Sequence, residues 1–283
     1  MPICSLITLI IEAMKPYLKW AGSKTKLTEK IGSYVPSHCT RIIEPFGGTG
    51  TVSLNLADKF KEHWVNDFNP DLINIHQLIV HHPDYVLSQL KALLIPENNN
   101  EIFFRKVREE FNSTLDTKRK AILFIYLNRH CFNGLCRYSA KGTFNTPFGR
   151  YKSVYLPEKE ILSFSERLRK ATFTCFSFEK VMESAGMGDF LYCDPPYAPL
   201  TETSNFTAYA SGSFTAEQQR KIAELASQAQ ERGAVVLISN HDTPFTRDIY
   251  STATSIESIE VNRSISANGA LRNKAQEVLA FFD

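Results

Sequence analysis

The sequence predicts an α/β fold: a mostly parallel sheet interrupted by a long helical block. Three observations predict it. Short apolar runs ending in turn-forming residues alternate with helical patterns near both ends of the chain. Between residues 71 and 130 no such run breaks the helical spacing. The 283 residues, 43% of them apolar, allow one substantial core with a smaller second lobe.

Composition narrows the classes further. The net charge is only +2, so any nucleic-acid surface must be local. The six cysteines form no CxxC pair and no Cys/His metal spacing; reduced thiols and no metal are expected. The opening stretch, MPICSLITLIIEAM, is too short to span a bilayer and lacks a basic start or a cleavage site. Met14 follows it directly, so residues 1–13 are expected to be an extension outside the core. No membrane association is expected.

Taken in order, RIIEPFGGTGTVSLNLA (41–57) reads as a strand, a glycine-rich turn and a helix. A second short strand, Trp64 to Asn66, leads into an acidic turn and a helix that starts at Asn69-Pro70-Asp71. DYVLSQLKALL, EIFFRKVREEFN and KRKAILFIYLNRH continue the helical block. Residues 131–152 are rich in glycine and aromatics and poor in regular pattern. ATFTCFS and FLYCD then restore the strand pattern. A helix follows, with a capping box from Thr215 to Gln218 and a stop at Gly233. AVVLISN, SIESIEV and EVLAFF close the chain as strands.

Two features of the first strand–turn–helix unit suggest a nucleotide-like ligand. Phe46-Gly47-Gly48-Thr49-Gly50 falls at a strand's carboxyl end, where glycines let backbone approach a ligand. Asp67 ends the next strand, 17 residues after Gly50, which suits a carboxylate accepting from ribose hydroxyls. The turn is neither GxGxxG nor a phosphate loop. Glu44 adds a second acid, which repels phosphate and suits a cationic nucleoside such as S-adenosylmethionine.

The second signal is GDFLYCDPPYAPL (188–200), an apolar run ending in Asp194-Pro195-Pro196-Tyr197. An exocyclic amine on a planar base is a poor nucleophile because its lone pair is delocalised. Asp194 and a prolyl carbonyl can accept from both its N–H groups and push the nitrogen towards tetrahedral geometry. Prolines hold that carbonyl in place, and Tyr197 offers a face on which the base stacks. Asp194 need not be a strong base; proton loss follows methyl transfer.

A third signal is local charge. Residues 128–152 carry Arg129, Arg137, Lys141, Arg150 and Lys152 without an acid, interleaved with aromatics. Such groups bind phosphates and guanine, and an aromatic can wedge into a base stack.

Together these stretches resemble the Dam family of adenine-N6 DNA methyltransferases. The resemblance runs through LKWAGSK, IEPFGGTG, NDFNPDL, YLNRHCFNGLCRY, FNTPFGRY, YCDPPYAPL and ISNHD, from about Lys15 to the C-terminus. It implies a Rossmann-like S-adenosylmethionine-dependent methyltransferase sheet with an inserted helical target-recognition domain. The catalytic domain would be 14–70 and 171–283, and the insert 71–170, the order of the alpha group. Trp20 and Lys24 would join Glu44, Phe46, Gly48, Gly50, Asp67 and Asp194 around S-adenosylmethionine. Asp194 to Tyr197 would hold a flipped adenine in double-stranded DNA, with GATC as target. Phe132 and Asn133 would stabilise the gap left in the duplex. Arg137 would read guanine in one outer pair and Lys19 would contact the other. Leu135 and Pro147 would meet a thymine methyl, and Arg129, Arg150 and Tyr151 would complete the contacts. Phe132 departs from the family pattern, which carries tyrosine there; stacking survives, a hydroxyl hydrogen bond does not.

A monomer without an obligate protein partner, in a cytoplasmic, nucleoid-associated location, is expected. Mismatch-repair marking, replication timing and restriction–modification all use such a site. Other acceptors (cytosine N4, RNA adenine, a protein amide) use related acid-or-Asn-Pro-Pro-aromatic sites, and a non-catalytic DNA binder is the alternative from another class. The basic aromatic segment favours duplex DNA, and the intact Asp194–Tyr197 motif favours catalysis.

Overall fold

A computed structural model describes residues 13–198, 214–262 and 274–283. Seven strands form one sheet: β1 (Arg41–Glu44), β2 (Glu62–Asn66), β3 (Thr172–Thr174), β4 (Asp189–Cys193), β5 (Val235–His241), β6 (Ser255–Asn262) and β7 (Lys274–Phe282). Their order is β3-β2-β1-β4-β5-β7-β6. Strands β1 to β5 are parallel, and β7 enters antiparallel between β5 and β6. This is the Rossmann-like methyltransferase sheet expected. The order reverses between β1 and β4, and the carboxyl ends of those strands open the crevice where such sheets bind ligands.

The apolar runs are strands because they are buried on both faces. Ile43, Leu191, Cys193, Val236 and Ile238 point to one face. Ile42, Phe190, Tyr192, Val235 and Leu237 alternate to the other. The first face is covered by α8 (Phe178–Glu183) and α9 (Ala216–Glu231). The second is covered by α1 (Thr28–Ser33) and α2 (Thr51–Asn55). Helix α9 opens with a reciprocal capping box between Thr215 and Gln218 and stops before Gly233, as its sequence predicts. The short α10 (Pro244–Ile249) follows β5.

Between β2 and β3 the chain forms α3 (Pro70–His81), α4 (Pro83–Leu93), α5 (Glu101–Ser113), α6 (Thr117–His130) and α7 (Glu158–Arg167). Asn69 caps α3, its side-chain oxygen accepting from the Asp71 and Leu72 amides, with Pro70 in the first turn. The block shares one core with the sheet edge: Val65 and Phe173 pack with Leu72, Ile122, Phe124 and Phe164. His76 of α3 ties this core to the glycine turn. Its Nε2 donates to the Gly48 carbonyl at 2.8 Å, so Nδ1 accepts from the Tyr17 hydroxyl at 2.7 Å. Burial holds the ring neutral, with its pKa lowered to about 4.

Residues 1–12, 199–213 and 263–273 lie outside the described residues; they include most of the polar stretch 198–214, which the sequence suggests as a lid over the base, and of the basic stretch 262–274, which it suggests for phosphate contacts. No described helix is long and apolar enough to cross a membrane.

Candidate active site

Strand β1 delivers Glu44 and the glycine turn to the crevice. Glu44 is buried and accepts from the Ser53 amide at 2.9 Å. Burial, reinforced by Asp194, pushes its carboxyl up to about 7. The turn has no room for side chains. A Cβ on Gly47 would lie 2.5 Å from Val65 Cγ1. Gly48 has φ +50°, and a Cβ there would meet the Trp20 indole nitrogen at 3.2 Å.

Asp67 leaves β2 alongside this turn. Its Oδ2 accepts from the Gly48 amide and its Oδ1 from the Asn69 amide, both at 2.9 Å. Burial pushes its carboxyl up, and the two amides pull it down. The carboxylate is therefore fixed in direction, and each oxygen keeps a lone pair for a further donor.

Strand β4 delivers Asp194-Pro195-Pro196-Tyr197. Asp194 Oδ1 accepts from the Ser239 hydroxyl at 2.8 Å and pairs with Lys24 Nζ at 3.0 Å. Ser239 is held in turn by the Tyr192 hydroxyl at 3.0 Å. The Pro196 carbonyl accepts from Gln219 at 2.7 Å. Among the described residues the Pro195 carbonyl has no such partner, so it is the freer of the two for a ligand. The Tyr197 hydroxyl accepts from Lys24 Nζ at 2.7 Å and donates to Glu277 Oε2 at 2.9 Å. The edge of His241 packs on its ring, centroids 4.8 Å apart. His241 also lies 2.7 Å from the Ala198 carbonyl. Burial and the neighbouring carboxylates push the Tyr197 phenol far up, so it stays neutral.

The segment Lys19–Lys24 links this cluster to the basic region. Lys24 reaches Asp194, and Trp20 lies against Gly48. Lys19 points away, donating to the Arg129 carbonyl at 3.1 Å with its ammonium 3.7 Å over the Tyr151 ring.

In the basic region, a short 3₁₀ turn at Phe132–Gly134 follows α6. Phe132, Asn133, Leu135, Arg137, Pro147 and Arg150 are exposed. Asn133 sits at φ +53°, a conformation Asn tolerates. Arg137 Nε donates to Asn145 Oδ1 at 2.7 Å and its Nη2 to the Asn145 carbonyl at 3.4 Å. Arg129 differs from the rest. It is only 8% exposed, its guanidinium lies 5.3 Å from the Tyr155 ring, and its Nε has no partner.

A family model described as D12 class N6 adenine-specific DNA methyltransferase matches residues 20–265. The chain belongs to that family. The DNA adenine methylase of Vibrio cholerae is 44% identical over 273 residues, covering 96% of this chain and 97% of that relative. That of Escherichia coli is 45% identical over 269 residues, 95% of each chain. That of Haemophilus influenzae is 42% identical over 270 residues, covering 95% and 93%. This chain is thus an adenine-specific DNA methyltransferase.

In this methyltransferase the structure brings Trp20, Glu44, Gly48, Asp67 and Asp194 to one crevice. Phe46 lines the neighbouring core, its ring 5.3 Å from Phe178. Lys24, expected among cofactor contacts, has its ammonium on Asp194 and Tyr197. Sequence reasoning assigned no role to Ser239, Gln219 or Glu277. ISNHD marked Ser239 as part of a motif without saying what it touches. Glu277 carried no local signal; only the pairing of β7 with β5, which sets it opposite His241, brings it to Tyr197. Among the described residues no group of three or more His, Cys, Asp or Glu could hold a metal.

Proposed function

We propose that this adenine methyltransferase takes its methyl group from S-adenosylmethionine and acts on a flipped adenine of GATC in duplex DNA. The observation that carries the proposal is the position of Asp194-Pro195-Pro196-Tyr197. It stands at the switch point of the sheet, across from a side-chain-free turn and a carboxylate with fixed direction.

The crevice fits the cofactor. Asp67 presents unused lone pairs for ribose hydroxyls, and Gly47 and Gly48 let the turn pack closely against Val65 and Trp20 beside it. Asp67 and Asp194 outnumber Lys24, which favours a sulfonium over a phosphate. Bound there, S-adenosylmethionine supplies an electrophilic methyl group. The chain's own part is to bind and position the amine. Asp194 and the Pro195 carbonyl accept its two N–H bonds, so its lone pair turns out of conjugation. Tyr197 stacks on the base, its tip held by Lys24 and Glu277. The proton leaves the nitrogen only after the new bond has made it acidic.

The insert 71–170 is the reading element on this proposal, and 14–70 with 171–283 the catalytic one. Arg137 forks onto guanine in one outer pair, and Lys19 serves the other. Phe132 and Asn133 stand at the exposed tip that would fill the vacated stack. Leu135 and Pro147 offer apolar contact to a thymine methyl, and Arg150 and Tyr151 reach the backbone. Arg129, on the buried last turn of α6, acts from beneath this surface.

Tritiated S-adenosylmethionine and two duplexes differing only in GATC versus GTTC test the proposal. Label in GATC alone is expected. Equal label in both would overturn the target, and none in either would overturn the donor or the reaction.

A further inference from the structure

The side chain of Asn128, buried in the last turns of α6, is fully hydrogen-bonded to two other segments. Its Oδ1 accepts from the Lys19 amide at 2.9 Å. Its Nδ2 donates to the Lys19 carbonyl at 2.7 Å and to the Gly134 carbonyl at 3.1 Å. The partners fix the orientation of the carboxamide, because an amide N–H only donates and a carbonyl only accepts. One side chain thus pairs both faces of a backbone unit at Lys19, as a neighbouring strand would, and grips the recognition turn with its remaining donor.

The turn is moulded onto the same residue. Gly134 adopts φ +67°, and a Cβ there would lie 2.3 Å from Lys19 Cβ. The Lys19 head is then aimed by the Tyr151 ring and the Arg129 carbonyl. Lys19 is therefore held at its backbone by Asn128, along its stem by the bare face of Gly134, and at its ammonium by Tyr151. Leu135 and Arg137 follow Gly134 directly.

We infer that Asn128 is a positioning residue for sequence discrimination: by clamping Lys19 to the 132–137 turn it sets the register of the reading groups. This rests on the proposed reading of GATC by Lys19 and Arg137. Asn128 touches neither base nor cofactor. Its loss should free the lysine backbone and leave three polar groups of Lys19 and Gly134 without their buried partner.

The test uses full-length enzyme and hemimethylated duplexes with one target adenine, either intact GATC or with one outer pair replaced. Asn128→Leu should lower discrimination in kcat/KM at the pair read by Lys19 by about tenfold or more. Discrimination at the pair read by Arg137 should fall less. Affinity for S-adenosylmethionine, measured by calorimetry, should not change. Lys19→Ala should lose the same discrimination, and adding Asn128→Leu to it should lose no more. Undiminished discrimination in Asn128→Leu, or additive losses in the double variant, would overturn the inference. If Asn128→Leu fails to fold, Gly134→Ala decides from the other side of the clamp. Its Cβ displaces Lys19, so the same pair-selective loss is expected, and an unchanged ratio overturns the inference. Equal wild-type rates on all three duplexes would overturn the GATC reading itself, and this inference with it.

Discussion

The phenol of Tyr197 donates to the Glu277 carboxylate at 2.9 Å, joining a loop after β4 to a strand near the end of the chain. The bond orients the ring proposed as the stacking platform. Tyr197→Phe keeps the platform and loses its tip bonds, at a cost of about 1 kcal/mol in transition-state binding. Tyr197→Ala removes the platform and should lose a further 1–3 kcal/mol or so. Methylation kinetics, with 2-aminopurine fluorescence at the target position, separate the two. Equal loss in both variants would show that stacking is not the role of the ring.

Asp194 is held through its Oδ1 by Ser239 and Lys24. Asp194→Ala should lower kcat by about a hundredfold or more, as removal of a preorganised acceptor does. DNA affinity in a gel shift should be retained. Turnover near wild type would refute the proposed handling of the amine.

Arg137 is exposed, with its Nε and one Nη on Asn145. Arg137→Ala should relax discrimination at one outer pair by about 1–3 kcal/mol. A uniform loss on every duplex would make it a phosphate contact instead.

Gly47 has Val65 Cγ1 2.5 Å from where a Cβ would stand. Gly47→Ala should destabilise the fold by about 1–3 kcal/mol, the usual cost of overpacking. It should also weaken cofactor binding, because the turn must shift. Urea denaturation and calorimetry read the two effects.

Glu44 titrates near 7 in the fold and near 4.5 when unfolded. Between those values the native state binds the proton that the unfolded chain has lost. Its contribution therefore makes stability fall as pH rises from about 4.5 to 7, then level off. Glu44→Gln keeps an acceptor for the Ser53 amide and abolishes this titration. Without cofactor, its stability relative to wild type should rise by up to about 3 kcal/mol between pH 4 and pH 8. A constant difference across that range would refute the raised carboxyl.

Much of this was readable before any coordinates. The strands were legible because two-sided burial makes each an unbroken apolar run. The start of α3 was legible because Asn69 and Pro70 are local cap chemistry. The partners of the Lys24 ammonium were not legible in the same way. A motif says which residues travel together, whereas its ammonium settles wherever the nearest carboxylate is, and that is Asp194. Arg129 read as part of a basic surface because counting charges does not reveal which side of α6 is buried.

Local chemistry therefore settled the fold class, the glycine turn and the Asp-Pro-Pro-Tyr motif, since turns, caps and strand burial are written into neighbouring residues. Three relationships needed the folded chain: Glu277 against Tyr197, His76 beneath Gly48, and Asn128 between Lys19 and Gly134. Each joins groups far apart in sequence. Such pairs are chosen by strand order and helix packing, and alternation along a strand says which side a residue faces but not which strand lies beside it.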